Sequence, residues 1–233
     1  MIKVIIFFLK ILDFFYQRKL ILFLKKNIYF NKIEVLFDVG AHHGETISFF
    51  KKNFNFKKIY SFEASPINFN NLKKKNLNND NIIIENIAFS SKARTMVFKQ
   101  CKETSSSTFT NINFNSNYFK KKTFFFNKKN FYSNLNIRTN TLFNYLRDYK
   151  ISKIDILKID TEGHEFEIIL GLKKKISIVK FIIFEHHFDN MLKKKYTFSE
   201  IHKYLKKKKF KKIFKIKMPL RKTIEYIYEN KSL

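Results

Sequence analysis

The sequence predicts an α/β protein built on a mostly parallel, doubly wound sheet. Short apolar runs alternate with segments of helical periodicity, which is the pattern of βαβ units. Four of the apolar runs end in an acidic residue, and the turn after the first run holds two glycines four positions apart. Because ligands bind at the carboxyl ends of parallel strands, these features also predict a polar cleft at that edge.

Composition predicts a folded chain with one substantial core. The 233 residues are 45% hydrophobic and include 30 Phe, which excludes disorder of the whole chain. A net charge of +28 indicates nucleic acid or an anionic membrane as partner, or a coding bias that favours Lys, Asn, Ile and Phe. The single cysteine, Cys101, excludes an internal disulfide and predicts a reducing, cytoplasmic compartment.

Residues 1–32 are predicted to form an amphipathic helical extension before a domain at 33–233. The longest uncharged run, at 4–9, is too short to span a bilayer. Polar residues recur every seven to eight positions and leave a broad apolar face. This face either packs on the domain core or lies on an anionic bilayer through residues 1–26, at the inner face of the membrane.

The first strand is predicted to end near Asp38, and the turn from Gly40 to Gly44 leads into a helix that ends near Phe54. Glycines in such a turn permit positive φ and let a ligand approach the backbone. The first N–H groups of the helix point at the same place. The turn is therefore a candidate nucleotide site, although a strand, turn and helix with glycines is often only a turn.

A second strand at 58–62 ends in Glu63, and Ser65 followed by Pro66 predicts the start of a helix. Glu63 follows Gly40 by 23 residues. An acid about 20 residues beyond a glycine turn is placed to accept hydrogen bonds from ribose hydroxyls. A third strand is predicted at 81–88, which completes a βαβαβ unit.

The middle of the chain is harder to interpret. A strand is predicted at 94–100, a short strand at 137–139 and a helix at 141–149. Between them, residues 101–136 show no clear period and are predicted to be a long insertion loop. Such a loop is usually functional or mobile, so it is either a lid over the substrate or an unstructured insertion.

A buried strand at 154–159 ends in Asp160 and precedes an amphipathic helix. Another strand, at 178–184, ends in an acid followed by two histidines. Carboxylates are costly to bury without partners, so the strand-end acids predict a polar cleft, with one or two of them as helix caps. The four strand-end acids are Asp38, Glu63, Asp160 and Glu185.

The C-terminal region predicts one more helix and a hairpin. Thr197 and Glu200 form a capping-box signal. Strands at 210–217 and 222–228 are predicted to pair as an antiparallel edge of the sheet.

Four motifs together resemble the FkbM-like family of S-adenosylmethionine-dependent methyltransferases, over residues from about 34 to 185. They are FDVGAHHG at 37–44, FEASP at 62–66, NIAFS at 86–90 and LKIDTEGHE at 157–165. The resemblance implies a Rossmann-like class I methyltransferase fold with a seven-stranded sheet. It also implies S-adenosylmethionine as cofactor and a hydroxyl group of a small molecule or glycan as acceptor.

The resemblance further implies roles for individual residues. Glu63 is expected to bind the ribose hydroxyls, and Asn86 and Ala88 are expected near the adenine. The residues expected to shape the cofactor turn are Asp38, Gly40, Ala41, His42 and Gly44. Those expected to line the methyl-transfer cleft are Asp160, Glu162, Glu165 and Glu185.

A hydroxyl acceptor must lose its proton, which invites a general base. The candidates are Asp160, His164 and His186, and either histidine is alternatively a loop residue without a chemical role. Three carboxylates and one imidazole, from Asp160, Glu162, Glu185 and His186, could converge on a divalent ion, but the sequence predicts no metal.

Three rival functions stay open. An RNA or DNA methyltransferase is suggested by the net charge, but the Asp160–Gly163 turn lacks the Asn/Asp-Pro-Pro-aromatic pattern of amino-methylating DNA enzymes. Acids at the cleft also oppose a phosphate backbone, so nucleic acid is disfavoured as a partner. The others are a non-catalytic membrane-surface protein and an NAD-dependent oxidoreductase, which lacks the G-x-G-x-x-G fingerprint.

Overall fold

A seven-stranded sheet organises the computed structural model, which describes residues 15–26, 33–76, 79–102, 106–126, 131–219 and 221–233. The strands of this sheet are β1 (Val35–Val39), β2 (Lys58–Phe62), β3 (Ile82–Glu85), β8 (Ile154–Ile159), β9 (Val179–His187), β11 (Phe210–Lys217) and β12 (Thr223–Asn230). The remaining strands are β4 (Ala88–Phe89), β5 (Thr95–Cys101), β6 (Asn111–Ile112), β7 (Tyr132–Asn140) and β10 (Leu192–Lys193). The helices are α1 (15–26), α2 (Glu45–Asn53), α3 (Pro66–Lys75), α4 (Asn117–Phe126), α5 (Leu142–Asp148), α6 (Glu165–Gly171) and α7 (Phe198–Lys207).

The strand order is β11-β12-β9-β8-β1-β2-β3. All neighbouring pairs from β9 to β3 are parallel, and β12 runs antiparallel to both of its neighbours. The mostly parallel doubly wound sheet and its C-terminal hairpin are therefore confirmed. Because the strand order reverses beside β1, the carboxyl ends of β1 and β8 form the crevice where such sheets bind ligands.

The core lies on both faces of this sheet. Successive residues of a strand face opposite sides, so Phe37 belongs to one buried cluster and Leu36 to the other. The described part of α1 packs on the second face, where Leu20 and Leu24 are buried and the ring of Phe23 stacks on a ring of β11. Residues 1–14 and 27–32 lie outside the described residues. None of the described helices has both the length and the apolar character that crossing a bilayer requires.

The predicted helix starts are confirmed. Ser65 caps α3 by accepting the backbone N–H of Asn68, and Pro66 is the first residue of that helix. Thr197 and Glu200 form the reciprocal capping box of α7. These starts depend on residues three positions apart, which is why the sequence reveals them.

The prediction of a long loop at 101–136 is wrong in most of the described part. This segment contains β6, α4 and the first half of β7. Strand β7 pairs antiparallel with β5 from Thr95↔Arg138 to Cys101↔Tyr132, and this pairing supplies the backbone hydrogen bonds. The predicted third strand is also divided, because β3 stays in the main sheet while β4 joins β7 in a small second sheet.

Candidate active site

An open cleft lies between the turn after β1, the end of β2 and the turn after β8, and its empty space, including the open mouth, is about 540 Å³. Its position matches the crevice at the switch point of the sheet. Much of its lining is apolar, with Phe62, Phe89 and Ile168 among the residues. The sequence-predicted residues that line it are Gly40, His42, Glu63, Ala88, Asp160, Glu162 and His164.

Gly40 brings two of these turns into contact. It has φ 89°, and a Cβ built at this position would lie 1.9 Å from the carbonyl oxygen of Asp160. The N–H groups of Gly40 and Ala41 both donate to the carbonyl of Phe62, at 2.9 and 3.1 Å. Ala41 itself is buried beneath the turn. A glycine is therefore required where the ends of β1, β2 and β8 converge.

Glu63 joins the end of β2 to the glycine turn. Its side chain is 6% exposed, and Oε2 accepts the N–H of His42 at 2.8 Å while Oε1 accepts the N–H of Ser65 at 2.9 Å. Burial raises the pKa of Glu63, although these two N–H groups act in the opposite direction. The carboxylate thus braces the loop and also lines the cavity.

Asn86 and Ala88 were both expected near an adenine, and the structure separates them. Ala88 lines the cavity. Asn86 instead donates from Nδ2 to the backbone carbonyls of Glu63 and Ala64, at 2.7 and 3.2 Å. Asn86 therefore holds the end of β2 in place.

Asp38 and Gly44 shape the turn from inside. Asp38 is fully buried, and burial raises the pKa of its carboxyl to about 8 although the ammonium of Lys158 acts against this rise. Neither of its carboxyl oxygens has a hydrogen-bond partner among the described residues. Gly44 has φ 88° at the N-cap of α2, so this helix begins directly at the turn.

The turn after β8 holds three acids in different surroundings. Asp160 is partly exposed and lines the cavity. Glu162 has φ 51°, and its Oε2 lies 3.3 Å from Nε2 of His187. Burial alone would lower the pKa of His187, but Glu162 and neighbouring acids raise it to about 10. The imidazolium therefore pairs with the Glu162 carboxylate.

Glu165 does not line the cleft, contrary to expectation. It is 0% exposed, its Oε1 accepts the N–H groups of Thr161 and Gly163, and its Oε2 accepts the hydroxyl of Tyr196. As the first residue of α6, it satisfies N–H groups of the turn that precedes the helix. Its role is to hold the shape of this turn.

The two histidine candidates occupy different places. His164 lines the cavity, with Nε2 3.0 Å from Oγ of Ser90, and burial lowers its pKa. His186 lines neither this cavity nor the second cavity described below. Burial and the nearby Lys194 lower the pKa of His186 to about 4. The structure therefore brings only His164 to the site.

The insertion between β5 and β7 supplies part of the wall; the sequence offered a lid over the substrate as one alternative for this segment but did not identify the residues involved. Ser107 and Phe109 line the cavity. The hydroxyl of Thr108 donates to the carbonyl of Glu162 at 2.6 Å, and that of Thr110 donates to the carbonyl of Gly163 at 2.9 Å. No periodic signal marks these residues, because their contacts are with a turn more than 50 positions away.

Lys158 is the second feature that sequence reasoning missed. Its ammonium is buried and lies 2.8 Å from Glu225 Oε2, 3.3 Å from Glu185 Oε1 and 4.0 Å from Asp160 Oδ2. Burial lowers its pKa, but these carboxylates together hold the pKa well above the ordinary value for lysine. A lysine inside the apolar run 154–159 was the signal that could have revealed this cluster.

The described residues include one group that could hold a metal ion, and it differs from the set considered from the sequence. Ligand atoms of His42, His43 and Glu45 lie within 4.8 Å of one another. The two rings stack with centroids 3.9 Å apart, and Glu45 bonds to Nδ1 of His42 and to the N–H of His43. Glu45 already accepts these two contacts, and no metal is assigned.

Comparison with known proteins identifies similar sequences and folds. A family model described as the methyltransferase FkbM domain matches residues 38–212. No curated protein matches the chain. Three solved structures share its fold at 12% identity or less.

The first of these structures is a methyltransferase FkbM from Methylobacillus flagellatus KT, with TM-score 0.54 and 12% identity, over 84% of this chain and 43% of that one. Magnesium protoporphyrin IX methyltransferase (ChlM) from Synechocystis PCC 6803, with bound SAM, has TM-score 0.52 and 9% identity, over 94% and 80%. TrmK of M. capricolum in complex with S-adenosyl-homocysteine has TM-score 0.50 and 10% identity, over 87% and 65%. The chain thus spans less than two thirds of the length of the first and the third.

Proposed function

The chain belongs to the FkbM methyltransferase family, and from this premise we propose that it transfers a methyl group to a hydroxyl of a sugar, glycan or small metabolite. The family match covers residues 38–212 and supports S-adenosylmethionine-dependent methyl transfer. The Synechocystis methyltransferase of the same fold holds this cofactor. The choice of a hydroxyl group as acceptor is the more specific part of the proposal, because the family match does not identify the acceptor.

The residues of the cavity fit S-adenosylmethionine. A carboxylate offers about four acceptor positions, and backbone N–H groups occupy two of those on Glu63. The remaining positions suit the two ribose hydroxyls. The apolar residues Ala88, Phe89 and Ile168 line the same cavity and suit the adenine ring.

One observation carries this assignment. The carboxylate of Glu63 accepts a hydrogen bond from the glycine turn at 2.8 Å, and both line the same cavity. The motif at Asp38–Gly44 and the acid at Glu63 were linked only by their spacing in the sequence. Their meeting at one cavity supports a site that binds ribose on one side and the amino-acid end of the cofactor on the other.

The chemistry requires little of the protein beyond positioning. The cofactor supplies a sulfonium methyl group, which bonds to the acceptor oxygen as the carbon–sulfur bond breaks and its electrons stay on sulfur. The protein orients the acceptor hydroxyl for this in-line displacement and takes up its proton. Asp160 is suited to this role, because it is partly exposed at the end of β8 beside Gly40.

Asp160 is preferred over the histidines on geometry. The ring of His164 is buried against Ser90 and Phe109. His186 packs among the rings of Tyr196 and Phe198. We therefore assign both histidines structural roles and keep Asp160 as the base or as the group that orients the acceptor.

Calorimetry with S-adenosylhomocysteine tests the cofactor site. Glu63→Gln keeps the size of the side chain but removes the charge, and we expect affinity to fall roughly 100-fold because two hydrogen bonds to a charged group are weakened. Glu229→Gln, at a partly exposed position outside this cavity, is the matched control. Undiminished affinity in Glu63→Gln would refute the ribose assignment, and tighter binding of NAD would favour an oxidoreductase.

A methyl-transfer screen tests the acceptor class. Incubation of the chain with S-adenosylmethionine and a panel of hydroxylated sugars, followed by mass detection, should reveal a gain of one methyl group on oxygen. Methylation of an amine or a carboxylate instead would contradict this part of the proposal.

RNA is the alternative acceptor, and the net charge of +28 is the observation that favours it. Acidic side chains at the cavity, including Asp160 and Glu162, oppose a phosphate backbone. Methylation of a structured RNA under conditions where the sugar panel stays unmodified would establish the alternative.

A further inference from the structure

A second cavity adjoins the cofactor pocket, and Asp160 lines both. It is open to solvent and lies between α1, the first half of α2 and the edge of the sheet where β8 and β9 end and β12 begins, with about 810 Å³ of empty space including its mouth. Tyr16 and Gln17 of α1 line it on one side, and Lys158 and Glu185 line it on the other. The cofactor assignment above leaves this space unused.

The charged cluster at its wall is unusual for a buried site. Lys158 lies in contact distance of two carboxylates, Glu225 at 2.8 Å and Glu185 at 3.3 Å. One ammonium cannot neutralise three carboxylates, those of Glu225, Glu185 and Asp160. Burial, together with the nearby Asp160, raises the pKa of Glu185 well above its ordinary value. The cluster thus offers more acceptors than its own lysine can satisfy.

Glu225 and Tyr16 place two buried polar atoms at this cavity. The Glu225 side chain is 2% exposed, and neither its Oε1 nor the Tyr16 hydroxyl has a well-formed hydrogen bond within the described part of the chain. Burial and the nearby Glu225 carboxylate raise the pKa of that hydroxyl. A buried carboxylate oxygen without a donor is costly, and most such atoms in proteins are satisfied. Because Glu225 lines the cavity, a ligand in that space can supply the missing donor.

The sign of the charge restricts the ligand. The lining holds four acidic and two cationic side chains in a chain whose net charge is +28. This local acidic excess opposes a phosphate or carboxylate group. Donors such as Lys158 and acceptors such as Glu225 lie side by side, which suits hydroxyl groups because each hydroxyl both donates and accepts.

We infer that this second cavity binds the methyl acceptor, and that the acceptor is an uncharged molecule carrying several hydroxyl groups. The inference rests on the proposed function, since Asp160 connects this cavity to the cofactor pocket. Tyr16 and Gln17 then make α1 a part of the acceptor site. Asp160 stands at the boundary where the reacting hydroxyl must lie.

A charge-matched acceptor panel tests the ligand class. The full chain is incubated with S-adenosylmethionine labelled in the methyl group and with neutral mono- and disaccharides, the corresponding sugar phosphates, or a short single-stranded RNA. We expect turnover of a neutral saccharide and at least a roughly tenfold lower kcat/KM for its phosphate. A higher kcat/KM for the sugar phosphates or for the RNA would overturn the inference. It would also be overturned if the chain binds S-adenosylhomocysteine but methylates none of the neutral saccharides.

Two variants test the location. Tyr16→Phe and Glu225→Gln should each raise the KM for the saccharide about 3- to 10-fold, which corresponds to one lost hydrogen bond. Both should bind S-adenosylhomocysteine within about twofold of the wild type, because neither residue lines the cofactor pocket. Tyr149→Phe, an exposed tyrosine, and Glu229→Gln, four residues along β12, are the matched controls.

The outcomes separate this inference from the proposed function. A wild-type chain that fails to bind S-adenosylhomocysteine refutes both. If both variants bind S-adenosylhomocysteine normally and their KM for the saccharide is unchanged, only the assignment of the acceptor to the second cavity is refuted. If Glu225→Gln fails to fold, Tyr16→Phe still decides, since it retains the ring and removes only the hydroxyl.

Discussion

The two cavities that meet at Asp160 are built in different ways. The cofactor pocket is formed by the turns that directly follow β1, β2 and β8, so its main polar residues lie inside short sequence motifs. The second cavity is lined by α1, α2, the ends of β8 and β9 and the start of β12, and its buried charged groups come from strands that are far apart in the chain and meet through the sheet. A site made from strand-end turns can be found by spacing, whereas a site made between distant elements cannot.

The two cavities also differ in how their polar groups are satisfied. Glu63 in the cofactor pocket is held by backbone N–H groups, which the local turn supplies. Lys158 in the second cavity is held by side chains from two other strands. We therefore expect the shape of the first site to depend on its backbone turns and the shape of the second to depend on its ion pairs.

The largest expected effect concerns the second cavity. Lys158→Met should lower the free energy of unfolding by about 3–5 kcal/mol, because it leaves Glu185 and Glu225 buried without their cation. Urea denaturation at neutral pH measures this change, with the exposed Lys215→Met as control. Adding Glu185→Gln and Glu225→Gln to Lys158→Met should restore much of the lost stability. A loss below about 1 kcal/mol in Lys158→Met alone would contradict the ion cluster.

Gly40→Ala tests the backbone contact in the cofactor pocket. The new Cβ would lie 1.9 Å from the Asp160 carbonyl oxygen at a residue with φ 89°, so the turn must move. We expect stability to fall by roughly 1–3 kcal/mol and S-adenosylhomocysteine affinity to fall more than about tenfold. Gly44 has nearly the same φ, but the closest atom to a Cβ built there is at the end of the Leu72 side chain. The effect of Gly44→Ala should therefore be smaller. Equal losses of stability and affinity in the two variants would show that the cost comes from the positive φ and not from the contact with Asp160.

The affinity for S-adenosylhomocysteine should depend on pH through Glu63. Burial raises the pKa of Glu63 in the free protein, and donation by ribose hydroxyls should lower it in the complex. Binding then releases a proton, so affinity should fall as pH drops below the raised pKa, by up to about tenfold per pH unit. Calorimetry between pH 4 and 8 measures this slope, which should be absent in Glu63→Gln. A slope of opposite sign would argue against an ionised Glu63.

The smallest expected effect concerns the insertion. Thr110→Val preserves shape but removes the hydrogen bond to the carbonyl of Gly163, and we expect a loss of stability of about 1 kcal/mol. Thermal unfolding measures this loss, and the exposed Thr95→Val on β5 is the control. No change would mean that the insertion is not anchored to the turn after β8 through this residue.

The candidate site was partly predictable from the sequence. The spacing of Gly40 and Glu63 predicted a meeting that the structure contains. Glu165 and Asn86 were placed in the cleft by motif, but hydrogen bonds to neighbouring backbone groups turn both away from it. A motif specifies which residues lie near a site, while the direction of each side chain depends on the partners around it.

The sequence by itself determined the α/β alternation, the helix caps and the strand-end turns, because these depend on residues close together in the chain. Only the tertiary structure decided that residues 106–126 form ordered elements against the turn after β8 and that Lys158 lies between Glu185 and Glu225. The physical reason is that hydrogen bonds and ion pairs between distant segments leave no period in the sequence. They arise when a sheet brings its strands side by side, and only then do the buried groups find their partners.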